Sequence, residues 1–179
     1  MIFTKTKIQG LYIIEPEPKI DKRGYFQRVY DATEFKKNGI NFKIVQANQS
    51  MSFKKGLIRG IHMQKPPKSE DKLIQCISGS IFDVTIDLRL NSKTYGQWFG
   101  TTLLVNKGMI YIPKGCAHGF QALENNTIVQ YPVSAYYSLE YEIGIRWNDQ
   151  FFNIKWPVKK VALSKKDSNW PDFTASIKE

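Results

Sequence analysis

The sequence predicts an all-β sandwich or barrel. Short apolar or alternating runs recur at about one per ten residues, and they are rich in Ile, Val, Phe, Tyr and Thr. Clusters of Gly, Pro, Asn and Lys separate them, as turns separate the strands of a barrel.

In order, the runs are Leu11–Glu15, Tyr25–Tyr30, Lys43–Ser50, Leu57–Met63 and Lys72–Ile77, then Ile81–Leu88, Trp98–Val105, Met109–Ile112, His118–Leu123 and Thr127–Tyr137. The run over 81–88 alternates apolar and polar positions well enough to predict one wet face. Only Ala32–Lys37 reads as a helix, with Asp31 as N-cap and Gly39 just past its end. After Trp156-Pro157 the alternation fades, so an irregular or short-helical C-terminal segment is expected. No repeat or low-complexity linker divides the chain, and residues 1–179 read as a single domain.

Composition narrows the function classes. A chain of 179 residues can bury about 70% of its unfolded surface without a disulfide or metal staple. Its 13% aromatic content excludes disorder. No apolar run approaches the roughly 20 residues of a membrane helix, and the N-terminus lacks a signal-peptide core, so the expected compartment is the cytoplasm. The formal charge of +10 invites a nucleic-acid reading, but the lysine pairs are scattered and no Cys/His array occurs. No nucleic acid is expected; a basic site for an anionic small molecule is the more specific reading. Cys76 and Cys116 have no CxxC spacing and read as buried thiols rather than a disulfide.

Only two histidines are present. His62 lies in Arg59-Gly60-Ile61-His62-Met63-Gln64 and His118 in Pro113-Lys114-Gly115-Cys116-Ala117-His118. The two segments resemble the paired motifs of cupin barrels. Metal-binding cupins carry His-x-His in the first motif, and here Gln64, a poor transition-metal ligand, stands at the second position. No metal is therefore expected, and a metal-dependent cupin oxygenase is the weaker alternative. Acid–base chemistry remains open to His62, because a neutral imidazole accepts a proton near its ordinary pKa of about 6.5. By itself His62 is equally compatible with a structural role. Arg59 falls on the opposite face of an ideal strand and reaches the same cavity only through a bulge at Gly60.

Further motifs make the resemblance specific. Asp21-Lys22-Arg23-Gly24-Tyr25-Phe26, Gln46-Ala47-Asn48-Gln49-Ser50, Lys72-Leu73-Ile74, Asp83–Arg89, Tyr131, Trp147-Asn148-Asp149 and Ile154-Lys155-Trp156-Pro157 follow in order, ending with Leu163-Ser164-Lys165-Lys166-Asp167. Together they make the chain similar to the dTDP-4-dehydrorhamnose 3,5-epimerase family over roughly residues 5–170. The resemblance implies a cupin-type jelly roll, a homodimer with exchanged N-terminal strands, and cofactor-independent epimerisation of a nucleotide-diphospho-4-keto-6-deoxyhexose in deoxysugar biosynthesis.

It also implies roles. His62 removes the C3 or C5 proton, Asp167 orients and charges it, and Lys72 stabilises the developing C4 oxyanion. One such donor is typically worth about 10²–10³ in rate. Inversion needs a proton returned from the opposite face, which Tyr131 supplies as the acid. Arg59 and Arg23 are implied diphosphate partners through their forked donors. Phe26 is implied to stack on the base and Gln46 and Asn48 to bond to it, while His118 and Tyr136 line or wall the cavity without a catalytic part.

Two positions depart from the family pattern. Arg28 stands where thymidine-using members commonly carry Glu, and a donor-only side chain suits the N3 and O2 acceptors of cytosine. A CDP-sugar thus enters as an alternative to a dTDP-sugar. Glu70 stands where many members carry Gln, and a pairing with Lys72 or Arg59 would alter the field at the ketone. Whether C3 alone or both C3 and C5 react stays open. A non-catalytic nucleotide-sugar-binding cupin is the other alternative, disfavoured because His62, Lys72, Tyr131 and Asp167 occur together.

Overall fold

The computed structural model describes residues 1–173. In chain order its elements are β1 (Ile2–Lys5), β2 (Tyr12–Glu15), β3 (Lys19–Asp21), β4 (Gly24–Phe26), α1 (Ala32–Lys37), β5 (Gln46–Ser52), β6 (Ile58–Gln64), β7 (Lys72–Ser78), β8 (Ser80–Asp87), β9 (Trp98–Leu104), β10 (Met109–Ile112), β11 (Cys116–Ala122), β12 (Thr127–Val133), β13 (Glu142–Gly144) and α2 (Lys165–Ser168). One sheet has the order β1-β2-β10-β7-β12-β5 and the other β13-β6-β11-β8-β9. From β5 onward the chain passes back and forth between the sheets, except at the β8–β9 hairpin. That alternation is the expected jelly roll.

Leu11, Ile74, Ile110 and Val129 from the first sheet and its approaches meet Ile81, Leu103 and Phe120 from the second in one buried cluster. Each such side chain taken fully out of water contributes about 1.5–3 kcal/mol. Cys76 and Cys116 are buried and form no disulfide, as expected.

The wet face expected for 81–88 does not exist, because nearly every residue of β8 is buried. Val84, Ile86 and Leu88 pack beneath Phe152, Ile154 and Trp156 of the C-terminal segment. The polar positions Asp83 and Thr85 are instead fully buried, on the face shared with His118. The alternation is real, but the irregular C-terminal segment covers its apolar face.

Helix α1 forms as expected. The Asp31 carboxylate accepts from the backbone N–H groups of Thr33 and Glu34, satisfying two donors that the first turn leaves unpaired. Phe35 anchors it in a cluster with Phe42 and Tyr111. The run Thr127–Tyr137 stops as a strand at Val133, where its register partners Gln46 and Lys72 also end. The run Tyr25–Tyr30 is a strand only to Phe26, because β3 and β4 pair with each other alone. That hairpin leaves Ile20, Tyr25 and Phe26 exposed.

Candidate active site

The site is a cleft of two lobes that share His62, Lys72, Tyr131 and Lys166. One lobe, about 350 Å³, adds Gln46, Asn48, Glu70, Tyr137 and Glu142. The other, about 220 Å³, adds Arg59, His118, Phe120 and Asp167. Strands of both sheets and the short helix α2 thus converge on one space. A larger cleft of about 590 Å³ lies elsewhere, but its charged lining residues are Arg89 and Lys114, two cations with no base between them. Acid–base chemistry belongs to the two-lobed cleft.

Arg59 and His62 share a lobe because β6 is bulged at Gly60. His62 pairs with His118 and Arg59 with Phe120, so three steps along β6 match two along β11. Gly60 has φ +102, and a Cβ there would lie 2.5 Å from the His118 carbonyl oxygen. Only glycine fits both the dihedral and the approach. Arg59 then braces itself on the Met51 carbonyl at 2.8 Å.

Burial pushes the His62 imidazole well below its ordinary pKa, and the basic side chains nearby, Lys72 foremost, push it further. It is therefore a neutral base at neutral pH. Burial raises the Tyr131 phenol; Arg59 opposes that shift and Glu70 adds to it, leaving the phenol protonated. Lys72 is buried, with its Nζ 3.2 Å from Glu70 Oε1. His118 Nε2 lies 2.7 Å from Asp83 Oδ2. Gln46 donates to Asn48 Oδ1 at 2.7 Å in the wall of the first lobe.

Several expected residues stand differently. Asp167 lines the cleft, but its carboxylate accepts from the Ser164 hydroxyl at 2.9 Å and makes no hydrogen bond to His62. The carboxylate set beside His62 is Glu142, with Oε1 3.7 Å from Nδ1. Tyr136 is 64% exposed and outside the cleft lining; its neighbour Tyr137 occupies the wall and donates to Glu142 Oε2 at 2.8 Å. Arg23 is bound to Asp21, Phe26 is exposed, and Arg28 lies 3.7 Å from Asp31. None of these three reaches the His62 cleft of its own chain, because the β3–β4 hairpin that carries or precedes them pairs with neither sheet.

Glu142, Lys166 and Tyr137 escaped sequence reasoning. Lys166 pairs with Glu142; the first lies where strand alternation has faded, the second in a strand too short to show any. The adjacent Lys165-Lys166-Asp167 after a Ser N-cap was the one available signal for α2. The Gln64 amide is committed to protein: Nε2 faces Lys68 O, Glu70 Oε2 and Tyr136 O, and Oε1 accepts from Ser138 N–H. Among the described residues no group of three or more His, Cys, Asp or Glu is arranged to hold a metal ion.

Known proteins are similar to this chain in sequence and fold. A protein of Methanothermobacter thermautotrophicus named dTDP-4-dehydrorhamnose 3,5-epimerase is 45% identical, over 94% of this chain and 92% of its own length. The crystal structure of the Bacillus anthracis dTDP-4-dehydrorhamnose 3,5-epimerase with TDP and pyrophosphate bound superposes with a TM-score of 0.93 at 40% identity, covering 96% of this chain and 99% of that one. The Legionella pneumophila epimerase in complex with dTDP-4-keto-L-rhamnose gives 0.90 at 38% identity, covering 96% and 92%. The model of the dTDP-4-dehydrorhamnose 3,5-epimerase family matches residues 5–175, and the chain, an isomerase, belongs to that family.

Proposed function

We propose that this chain epimerises a dTDP-linked 4-keto-6-deoxyhexose at C3 and C5 through an enolate, as a single catalytic domain acting in the cytoplasm. His62 takes the proton from a carbon beside the C4 ketone. Such a C–H is far too weak an acid for imidazole unless the enolate is stabilised as it forms, and the buried Lys72 ammonium supplies that charge. Tyr131 returns a proton to the other face. Arg59 takes the diphosphate, Gln46 and Asn48 meet the base, and His118 supports the sugar.

The observation that carries this reading is that His62 and Tyr131 stand on β6 and β12, strands of opposite sheets, and line the same cleft. Inversion demands a base and an acid on opposite faces of one ring, and two facing sheets meet that demand. A carboxylate partner for the imidazolium is available at Glu142, with Asp167 in the adjoining lobe.

Thymidine is favoured because the relatives' bound ligands carry it. The CDP alternative, which rests on Arg28, finds no support in those ligands. Incubation in D₂O with dTDP- and CDP-4-keto-6-deoxyglucose tests the reading by mass spectrometry. Deuterium at two carbons of the dTDP-sugar is expected; no uptake from either, with nucleotide still bound, leaves the non-catalytic binding module.

The reading includes a homodimer with exchanged N-terminal strands. Its support is the β3–β4 hairpin, which leaves Ile20 and Phe26 exposed by 78% and 64% and keeps Arg23 out of its own cleft. Seated on a second copy, the hairpin would bring Arg23 and Phe26 to that copy's site. Mixing inactive His62→Asn and Arg23→Ala chains should restore turnover that neither has alone. Absence of restoration after verified subunit exchange excludes the shared site.

A further inference from the structure

Glu70 lies just ahead of β7, its side chain 10% exposed. One carboxylate oxygen is 3.2 Å from Lys72 Nζ, and the other accepts from Gln64 Nε2 at 3.1 Å. Gln64 is itself buried and reaches the Tyr136 carbonyl at 3.3 Å, while its Oε1 accepts from Ser138 N–H at 2.5 Å. A single carboxylate therefore joins the ammonium of the cleft to the loop that presents Tyr137.

We propose that Glu70 is a positioning residue for the epimerisation, holding the Lys72 ammonium toward the substrate's C4 oxygen and locking the Tyr137 wall to it through Gln64. The inference rests on the epimerase reading above. An ammonium has three donors, so a bond to Glu70 fixes the stem and leaves the others for an oxyanion. A buried side chain of this length needs a partner to hold its direction, and Glu70 supplies one at 3.2 Å without entering the chemistry.

The same charge acts on the acid. Tyr131 is faced by Arg59 and His62 from β6, Lys72 from β7, His118 from β11, Glu142 from β13, Lys166 and Asp167 from α2, and Glu70 and Tyr137 from the connecting segments. Burial raises the phenol most, Arg59 lowers it, and Glu70 raises it. Without the Glu70 charge only burial opposes Arg59, and the phenol ionises at lower pH.

The test compares wild type, Glu70→Gln and Glu70→Asp as intact protein, measuring kcat, KM for the dTDP-4-keto sugar and the pH profile of kcat. Glu70→Gln should lower kcat by about tenfold, part of the 10²–10³ typical of an oxyanion donor, with KM within about twofold. Its alkaline limb should move to lower pH. Glu70→Asp keeps the charge at shorter reach, so its limb should stay while kcat falls. An unmoved limb in Glu70→Gln, or an equal displacement in Glu70→Asp, overturns the proposal and leaves Glu70 a structural ion pair. Should Glu70→Gln not fold, Glu70→Asp decides alone, and wild-type kcat in it overturns the proposal. An inactive wild type overturns the epimerase reading first and this inference with it.

Discussion

His62 and His118 stand opposite each other where β6 pairs with β11, yet the two rings are held differently. His118 Nε2 is locked to the buried Asp83 carboxylate at 2.7 Å, whereas His62 Nδ1 is 3.7 Å from Glu142, beyond hydrogen-bonding range. The Asp83 bond occupies His118 Nε2, whereas His62 makes no side-chain hydrogen bond among the described residues and, as a neutral ring, can take a proton. His62→Asn should therefore cost about 10²–10⁴ in kcat, the usual worth of a general base. His118→Asn should act mainly on KM. Steady-state kinetics of both variants check this, and equal kcat losses would contradict the division of labour.

The acid limb of the kcat profile follows from the depressed His62 pKa. Its midpoint should lie well below the ordinary imidazole value of about 6.5, because burial disfavours the charged form and Lys72 repels it. Stability has a definite sign here. Between the depressed folded value and about 6.5 the unfolded chain binds more protons, so stability rises with pH through that window and falls on acidification. Denaturant midpoints of wild type and His62→Asn, taken across roughly pH 4–8 to bracket the ordinary imidazole value, isolate this contribution, which the variant should lack.

Tyr131→Phe should separate proton exchange from inversion. His62 and Lys72 remain in place, so deuterium should still enter the sugar from D₂O, returned to the face it left. The inverted product should fall by about 10²–10⁴, the contribution of a general acid. Exchange and inversion lost in parallel would mean that Tyr131 does not act after the enolate forms.

Gly60→Ala should be costly out of proportion to one methyl group. The new Cβ would sit 2.5 Å from the His118 carbonyl oxygen, on a backbone with φ +102. A destabilisation of about 1–3 kcal/mol is expected from denaturant unfolding. Activity should fall further than stability alone accounts for, because the bulge is what brings Arg59 and His62 into one lobe.

Local information in the sequence determined most of the strands, the helix α1 and its Asp31 cap. Side-chain alternation and capping chemistry act within a few residues, so they can be read one segment at a time. The bulge at Gly60 was legible for the same reason, since a glycine between Arg59 and His62 is a local backbone signal. His62, Lys72, Tyr131, Arg59, Gln46 and Asn48 were all named from motifs, and the fold brings them to one cleft. Tertiary structure alone decided that neither face of β8 meets solvent, because the Phe152–Trp156 segment that covers the apolar one has no periodicity of its own. It also decided that Glu142 rather than Asp167 stands beside His62, and Tyr137 rather than Tyr136 faces the cleft. Those choices depend on where irregular chain lands after the sheets have packed, and that is set by contacts between segments far apart in sequence.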